Sequence, residues 1–163
     1  MRRFTPVTVA LPPFQTLIDE HRDDIYRFLR ASVGAHDADD CFQETFIAAL
    51  RAYPRLRADS NLRGWLFTIA HRKALDSHRA RNRRAIPVEQ LPERVGEPLL
   101  NGGEPELWRA VGDLPPKQRA AVLLRFAGDL AYAEIGEATG TSEEAARRNV
   151  HEGLKKLREA WSA

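Results

Sequence analysis

Between Asn61 and Arg84 the chain carries seven cations, Arg63, Arg72, Lys73, Arg79, Arg81, Arg83 and Arg84, against a single acid, Asp76. Phe67, Thr68, His71 and Ser77 are interleaved with them. Cations hold a phosphate backbone, and aromatic and hydrogen-bonding groups among them can stack on and bond to exposed bases. The bland alternative is a solvated basic face on an ordinary helix. A second set lies near the C-terminus, where Arg147, Arg148 and His151 fall on one side of a helical repeat. Arginine so placed can make bidentate bonds to guanine in a duplex major groove. A third set is acidic: Asp39, Asp40, Gln43 and Glu44 form the polar side of another repeat, which read alone is a solvated surface. Nothing suggests catalysis. The histidines His21, His36, His71, His78 and His151 form no HExxH pair, and there is no Gly-rich phosphate loop or GxSxG elbow. Cys41 is the single cysteine, which excludes a disulfide framework and a CxxC metal knot. No metal site and no cofactor are expected, and Cys41 reads as a small buried apolar residue.

Helices must position these groups. Phe14, Leu17, Ile18, Ile25, Phe28 and Leu29 predict a helix over 14–33 that Gly34 closes. A second is predicted over 37–51, its acids suited to a helix N-terminus and its inner face formed by Ala38, Cys41, Phe42, Thr45, Phe46, Ala49 and Leu50. Tyr53 to Ser60 reads as a loop. The basic stretch follows, with Leu62, Trp65, Leu66, Ile69 and Leu75 turned to a core and the cations turned away. Four prolines and three glycines between Ala85 and Pro105 predict a linker and a domain boundary. Beyond it, short helices are predicted over 106–111, 116–126 and 131–139, the last ended by Gly140. Thr141-Ser142-Glu143-Glu144 reads as a capping box with Thr141 at the cap and Glu144 three residues on, opening a helix to about Trp161. Two helices joined by a short Gly-containing turn suit a helix-turn-helix, or else a plain helical hairpin.

The 163 residues are 43% apolar and 29% charged, which suits one globular domain or two small ones. No apolar run approaches the roughly 20 residues that cross a bilayer. Prolines interrupt the opening MRRFTPVTVALPP too early for a secretory core, so a short extension and a cytoplasmic protein without a membrane segment are expected. Net charge is only +2, and the excess sits in the 61–84 stretch. A concentrated patch points to a polyanionic partner better than a diffusely basic composition does.

In order, DADDCFQETFIAAL, DSNLRGWLFTIAHRKALDSHR, a Pro/Gly-rich linker, LPPKQRAAVLLR and AYAEIGEATGTSEEAARRNVHEGLKKLR resemble an extracytoplasmic-function sigma factor of the sigma-70 family. The resemblance spans about Phe14 to Arg158. It implies an all-α fold of two small helical domains, a region-two-like bundle over 14–84 and a region-four-like helix-turn-helix over 106–163. A flexible linker over 85–105 would join them, and 1–13 would be an N-terminal extension. It implies that Asp39, Asp40, Gln43 and Glu44 touch the RNA polymerase core. It implies that the loop from Ala58 through Asp59, Ser60 and Asn61 to Leu62 accepts a flipped minus-ten base. Trp65, Phe67, His71, Arg72, Lys73 and Arg79 would serve promoter melting. Thr141, Ser142, Glu144, Arg147, Arg148 and His151 would meet the minus-thirty-five duplex. An anti-sigma factor is a further implied partner. The sequence departs from the family at Arg72, where Asn is usual, and at Ala131, where a Ser or Thr cap is common. A stand-alone helix-turn-helix regulator is the competing reading; it leaves the acidic helix and the WLFTIA stretch unused.

Overall fold

The computed structural model describes residues 10–83 and 105–162, all helix, turn or coil. Among them run seven α-helices: α1 (Phe14–Val33), α2 (Ala35–Ala52), α3 (Leu62–Arg83), α4 (Pro105–Gly112), α5 (Pro116–Phe126), α6 (Tyr132–Thr139) and α7 (Glu143–Trp161). The expected linker lies outside the described residues except for Pro105, which opens α4 instead. Arg84 and the first nine residues of the expected extension also lie outside them.

α1, α2 and α3 pack against one another as a three-helix bundle. The spacing of Leu17, Ile25, Phe28 and Leu29 places them on one stripe of α1, and all four are buried. Each such side chain contributes roughly 1.5–3 kcal/mol when fully withdrawn from water. Gly34 ends α1 at φ 84°, a left-handed conformation that glycine adopts without strain, and its N–H donates to the Arg30 carbonyl at 2.9 Å. α2 meets its neighbours through small residues, Ala38, Cys41, Thr45 and Ala49, all buried. The Thr45 hydroxyl donates to the Cys41 carbonyl at 2.6 Å, which keeps a buried oxygen satisfied. Burial pushes the Cys41 thiol up, as befits an unreactive core residue.

Two expectations need correction here. Leu50 has inward spacing on α2, yet it is 55% exposed, and Ile47 one turn before it is 50% exposed. The narrow small-residue stripe completes the contact before the turn reaches them. The expected loop also begins as a 3-10 turn over Tyr53–Arg55. Tyr53 anchors it, with its ring 5.2 Å from Phe14 and 6.2 Å from Trp65, and its hydroxyl donates to the Pro12 carbonyl.

α4 to α7 form the second unit, with α7 lying across α4, α5 and α6. Gly153 lets α5 approach closely: a Cβ there would stand 2.7 Å from Val122 Cγ2. Leu124, Ile135, Ala146 and Val150 fill the centre. Gly140 turns the chain between α6 and α7 at φ 68°. The second unit also touches the first, α4 and α5 meeting α1, and α5 and α6 meeting α3.

Candidate nucleic-acid and partner interfaces

α3 starts at a cap the sequence did not announce. The Asn61 side-chain oxygen accepts from the Gly64 N–H at 3.1 Å, satisfying one of the donors a helix start leaves unpaired. Ala58, Asp59 and Asn61 of the preceding loop are exposed, and Ser60 and Leu62 are half-buried. Trp65 is half-buried against Tyr53, a supporting position.

The basic face divides in two. Arg72, Arg79 and Arg83 are exposed and Lys73 is half-exposed, so the C-terminal half of α3 presents cations to solvent. Its last turn is where a helix dipole favours positive charge. Phe67 and His71 do not join them. Both were expected among the outward cations, yet Phe67 is fully buried and His71 is 6% exposed. Phe67 meets Phe28 edge to face at 5.3 Å, a favoured arrangement of the ring quadrupoles. Burial, then the charges of Arg72 and His78, push the His71 pKa down to about 4. His71 is therefore neutral near pH 7 and contributes no cation.

Arg81 and Arg63 are also withdrawn from the free basic face. Arg81 pairs with Asp37 at 3.0 Å. Arg63 pairs with Asp24 on α1 at 3.0 Å and turns its fork onto the Ala127 carbonyl, with Nε at 2.8 Å and the second nitrogen also donating. Its guanidinium lies over the Phe67 ring, 5.2 Å from the centroid. Arg63 thereby ties α3 to the end of α5, a role invisible in spacing alone.

On α7 the expected set faces outward: Arg147, Arg148 and His151 are exposed while Ala146, Val150 and Gly153 are buried. The cap is one residue later than expected. Ser142, not Thr141, accepts from the Ala145 N–H at 3.1 Å. Thr141 instead shares a hydrogen bond with the Thr139 hydroxyl at 3.0 Å. Glu144 is the second helical residue, exposed, one position short of a box partner. At α6 the absent cap oxygen of Ala131 is half replaced: the Glu134 carboxylate accepts from the Ala131 N–H at 3.3 Å. Sequence reasoning missed Tyr132. Arg125 lies 4.5 Å from its ring centroid and Arg147 lies 5.1 Å, so the ring holds an exposed arginine of α7.

The polar side of α2 is exposed throughout at Asp39, Asp40, Gln43 and Glu44. Ile47 and Leu50 continue that side at helical spacing, so the surface is acidic at one end and apolar at the other. Exposed apolar groups rimmed by polar ones mark protein contacts. Among the described residues, no group of three or more His, Cys, Asp or Glu could hold a metal ion, and no helix is long and apolar enough to cross a membrane.

Residues 17–84 match the family model for Sigma-70 region 2, and residues 105–157 match that for Sigma-70, region 4. The chain is 32% identical over 161 residues to RNA polymerase sigma factor CarQ of Myxococcus xanthus, covering 92% of this chain and 90% of that protein. It is 35% identical over 162 residues to ECF RNA polymerase sigma factor SigE of Mycolicibacterium smegmatis, covering 92% of this chain but 62% of that protein's length. Its fold is that of sigma factor RpoE, solved with the anti-sigma factor NepR from Bartonella quintana, at TM-score 0.78 and 21% identity over 92% of this chain and 97% of that one. CnrH, solved with the cytosolic domain of CnrY, matches at TM-score 0.61 and 21% identity over 91% and 87% of the two chains. The chain belongs to the sigma-70 family of RNA polymerase sigma subunits. Within that family it is an ECF sigma factor, a transcription initiation factor and not an enzyme.

Proposed function

We propose that this chain directs RNA polymerase core to a specific set of promoters through three separate surfaces. The outer side of α2, with Asp39, Asp40, Gln43 and Glu44 beside exposed Ile47 and Leu50, binds core. The loop from Ala58 to Leu62 and the cations Arg72, Lys73 and Arg79 of α3 hold the opened minus-ten strand. Arg147, Arg148 and His151 of α7 read the minus-thirty-five duplex. Residues 14–84 are the core-binding and melting domain, residues 106–163 the upstream reader, and residues 85–105 the tether. Two weak readers on one chain gain from each other because tethering raises effective concentration. An anti-sigma factor is a fitting regulator, since RpoE was solved with the anti-sigma factor NepR and CnrH with the cytosolic domain of CnrY. The chain would work in the cytoplasm, beside polymerase and DNA.

The observation that carries this reading is the placement of the three surfaces. Each includes exposed residues of a helix whose opposite side is packed into the core, so each turns polar or charged groups toward a partner. A stand-alone regulator would use α4 to α7 alone and leave the exposed side of α2 without purpose. The test is co-purification with RNA polymerase core followed by run-off transcription on genomic fragments. Start-site-specific transcripts that need both chain and core support the proposal. Tight, sequence-specific duplex binding without any association with core would overturn it.

A further inference from the structure

Arg148, His151, Glu152 and Lys155 are exposed and share one strip of α7, since residues three and four apart on a helix lie on one face. Glu152 is the odd member, an acid on the surface assigned above to the upstream duplex. Three cations stand within helical reach of it, Arg148 four residues before, Lys155 three after and Lys156 four after. Arg147 and Glu143, spaced four apart on the same helix, do pair, at 3.4 Å. Among the described residues Glu152 pairs with no cation. Its Oε2 accepts instead from Gln118 Nε2 on α5, at 3.2 Å.

That bond is built into the packing. α7 comes close to α5 at Gly153, where an added Cβ would stand 2.7 Å from Val122 Cγ2 and 3.6 Å from Gln118 Cβ. A carboxylate only accepts, so the Gln118 amide must turn its N–H toward Glu152. Its carbonyl oxygen is then left buried, and it takes no hydrogen bond among the described residues. A buried acceptor without a partner costs stability. The fold carries that cost at the contact that holds Glu152 off its neighbouring cations. Gln118 is neutral and engages Oε2, so the carboxylate keeps its charge and Oε1 remains to accept.

A carboxylate in a major groove is selective through what repels it. Phosphates repel it. Guanine presents the acceptors N7 and O6 there, and thymine presents O4. Adenine sets its N7 acceptor beside the N6 donor. Cytosine offers the N4 donor with no acceptor beside it on its own edge.

Resting on the assignment of α7 to the upstream duplex, we infer that Glu152 is a specificity-determining residue that selects a cytosine in the upstream element through its N4 amino group, with Gln118 as the positioning residue that holds the carboxylate in place. Arg148, one turn earlier, is thereby left to make its own contact.

The test uses holoenzyme, the full chain with RNA polymerase core, and promoter fragments whose upstream element is randomised; the retained fragments are sequenced. Wild type should retain cytosine at one upstream position. Glu152→Ala should lower that preference about tenfold, the size of one good base contact, and leave the other positions unchanged. Glu152→Gln should shift the preference to adenine, whose N6 and N7 suit an amide. Gln118→Met keeps the side-chain length but removes both the donor and the unpaired oxygen. It should weaken the cytosine preference by a smaller factor without lowering the melting temperature, a combination that a packing role alone would not give. An unchanged pool for Gln118→Met overturns its positioning role. Glu152 is exposed, so its variants fold and keep the test open if Gln118→Met does not. Uniformly tighter binding of all sequences by Glu152→Ala, with a steeper salt dependence, means that the acid only repels phosphate and overturns the inference. So does a wild-type pool without a cytosine preference, or one identical to the pools of both Glu152 variants. If Arg147→Ala or Arg148→Ala alters the pool while the Glu152 variants do not, the assignment of α7 stands and the role of Glu152 falls. If no α7 variant alters the pool, that assignment falls with it.

Discussion

The guanidinium of Arg147 lies 5.1 Å from the ring centroid of Tyr132, on a different helix, and it also reaches Glu143 at 3.4 Å. Arg125 occupies Tyr132 as well, at 4.5 Å. An exposed arginine of α7 is thus held by two neighbours, which reduces the rotamer freedom it would lose on meeting a ligand.

Tyr132→Leu should keep the α6 packing but release Arg147. Contacts of this kind at exposed sites are worth about 0.5–1 kcal/mol. The upstream duplex should bind a few-fold more weakly, while Arg147→Ala should in addition relax preference at one base pair, by roughly 1–3 kcal/mol if the contact is bidentate. Selection from a randomised upstream element separates the two. Identical selected sequences for wild type, Arg147→Ala and Arg148→Ala would place the reading elsewhere.

Asp40→Ala with Gln43→Ala, and separately Ile47→Ala, should weaken binding to polymerase core. All three positions are exposed, so the melting temperature should hardly move, since such surface changes stay within about 0.5 kcal/mol. Affinity for core measured by fluorescence anisotropy checks this. Unchanged affinity in both variants would remove α2 from the core interface.

Neutralising Arg72, Lys73 and Arg79 together should leave closed-complex binding through α7 in place and block strand opening. Permanganate reactivity of thymines near the start site should fall at saturating holoenzyme, and a pre-melted bubble should restore transcription. If reactivity persists, the cations serve some other anion.

Ser142→Ala should cost about 1 kcal/mol by freeing the Ala145 N–H, whereas Thr141→Ala should cost clearly less. Thermal unfolding of the two variants side by side is sufficient. Equal losses would return the cap to Thr141.

His71 is neutral in the fold, with its pKa lowered from 6.5 to about 4. A group whose folded pKa is depressed below the unfolded one binds more protons in the unfolded chain between those values. Its contribution is therefore constant above about pH 6.5, and stability is lost as pH falls from there toward 4. Burial comes first among the causes, with the charges of Arg72 and His78 adding to it. Over the whole window the loss amounts to roughly 3 kcal/mol. Denaturant unfolding at pH 7, 5.5 and 4.5 should show a steeper decline for wild type than for His71→Gln. Parallel curves would mean that His71 titrates normally.

The helices themselves were legible in the sequence, because each is set by contacts within a few residues. The spacing of Phe14 to Leu29 marks α1 to the residue, Gly34 and Gly140 mark left-handed stops, and the Pro and Ala pattern marks α5. The outward direction of Arg147, Arg148 and His151 follows from the apolar residues opposite them on the same helix. The order of segments was enough to suggest the family. The sequence did not determine which of the polar and aromatic groups on α3 are free. Arg63, Phe67 and His71 sit between cations in the chain, and only tertiary packing decides that Arg63 is tied to Ala127, that Phe67 is covered by Phe28 of α1 and by Gly128, and that His71 leaves solvent. Leu50 shows the converse, an apolar residue at inward spacing that stays outside because smaller neighbours had already closed the contact. Helical period is fixed by hydrogen bonds four residues apart, whereas burial is fixed by whatever surface arrives from elsewhere in the chain, here 64 residues away in the case of Arg63 and Ala127.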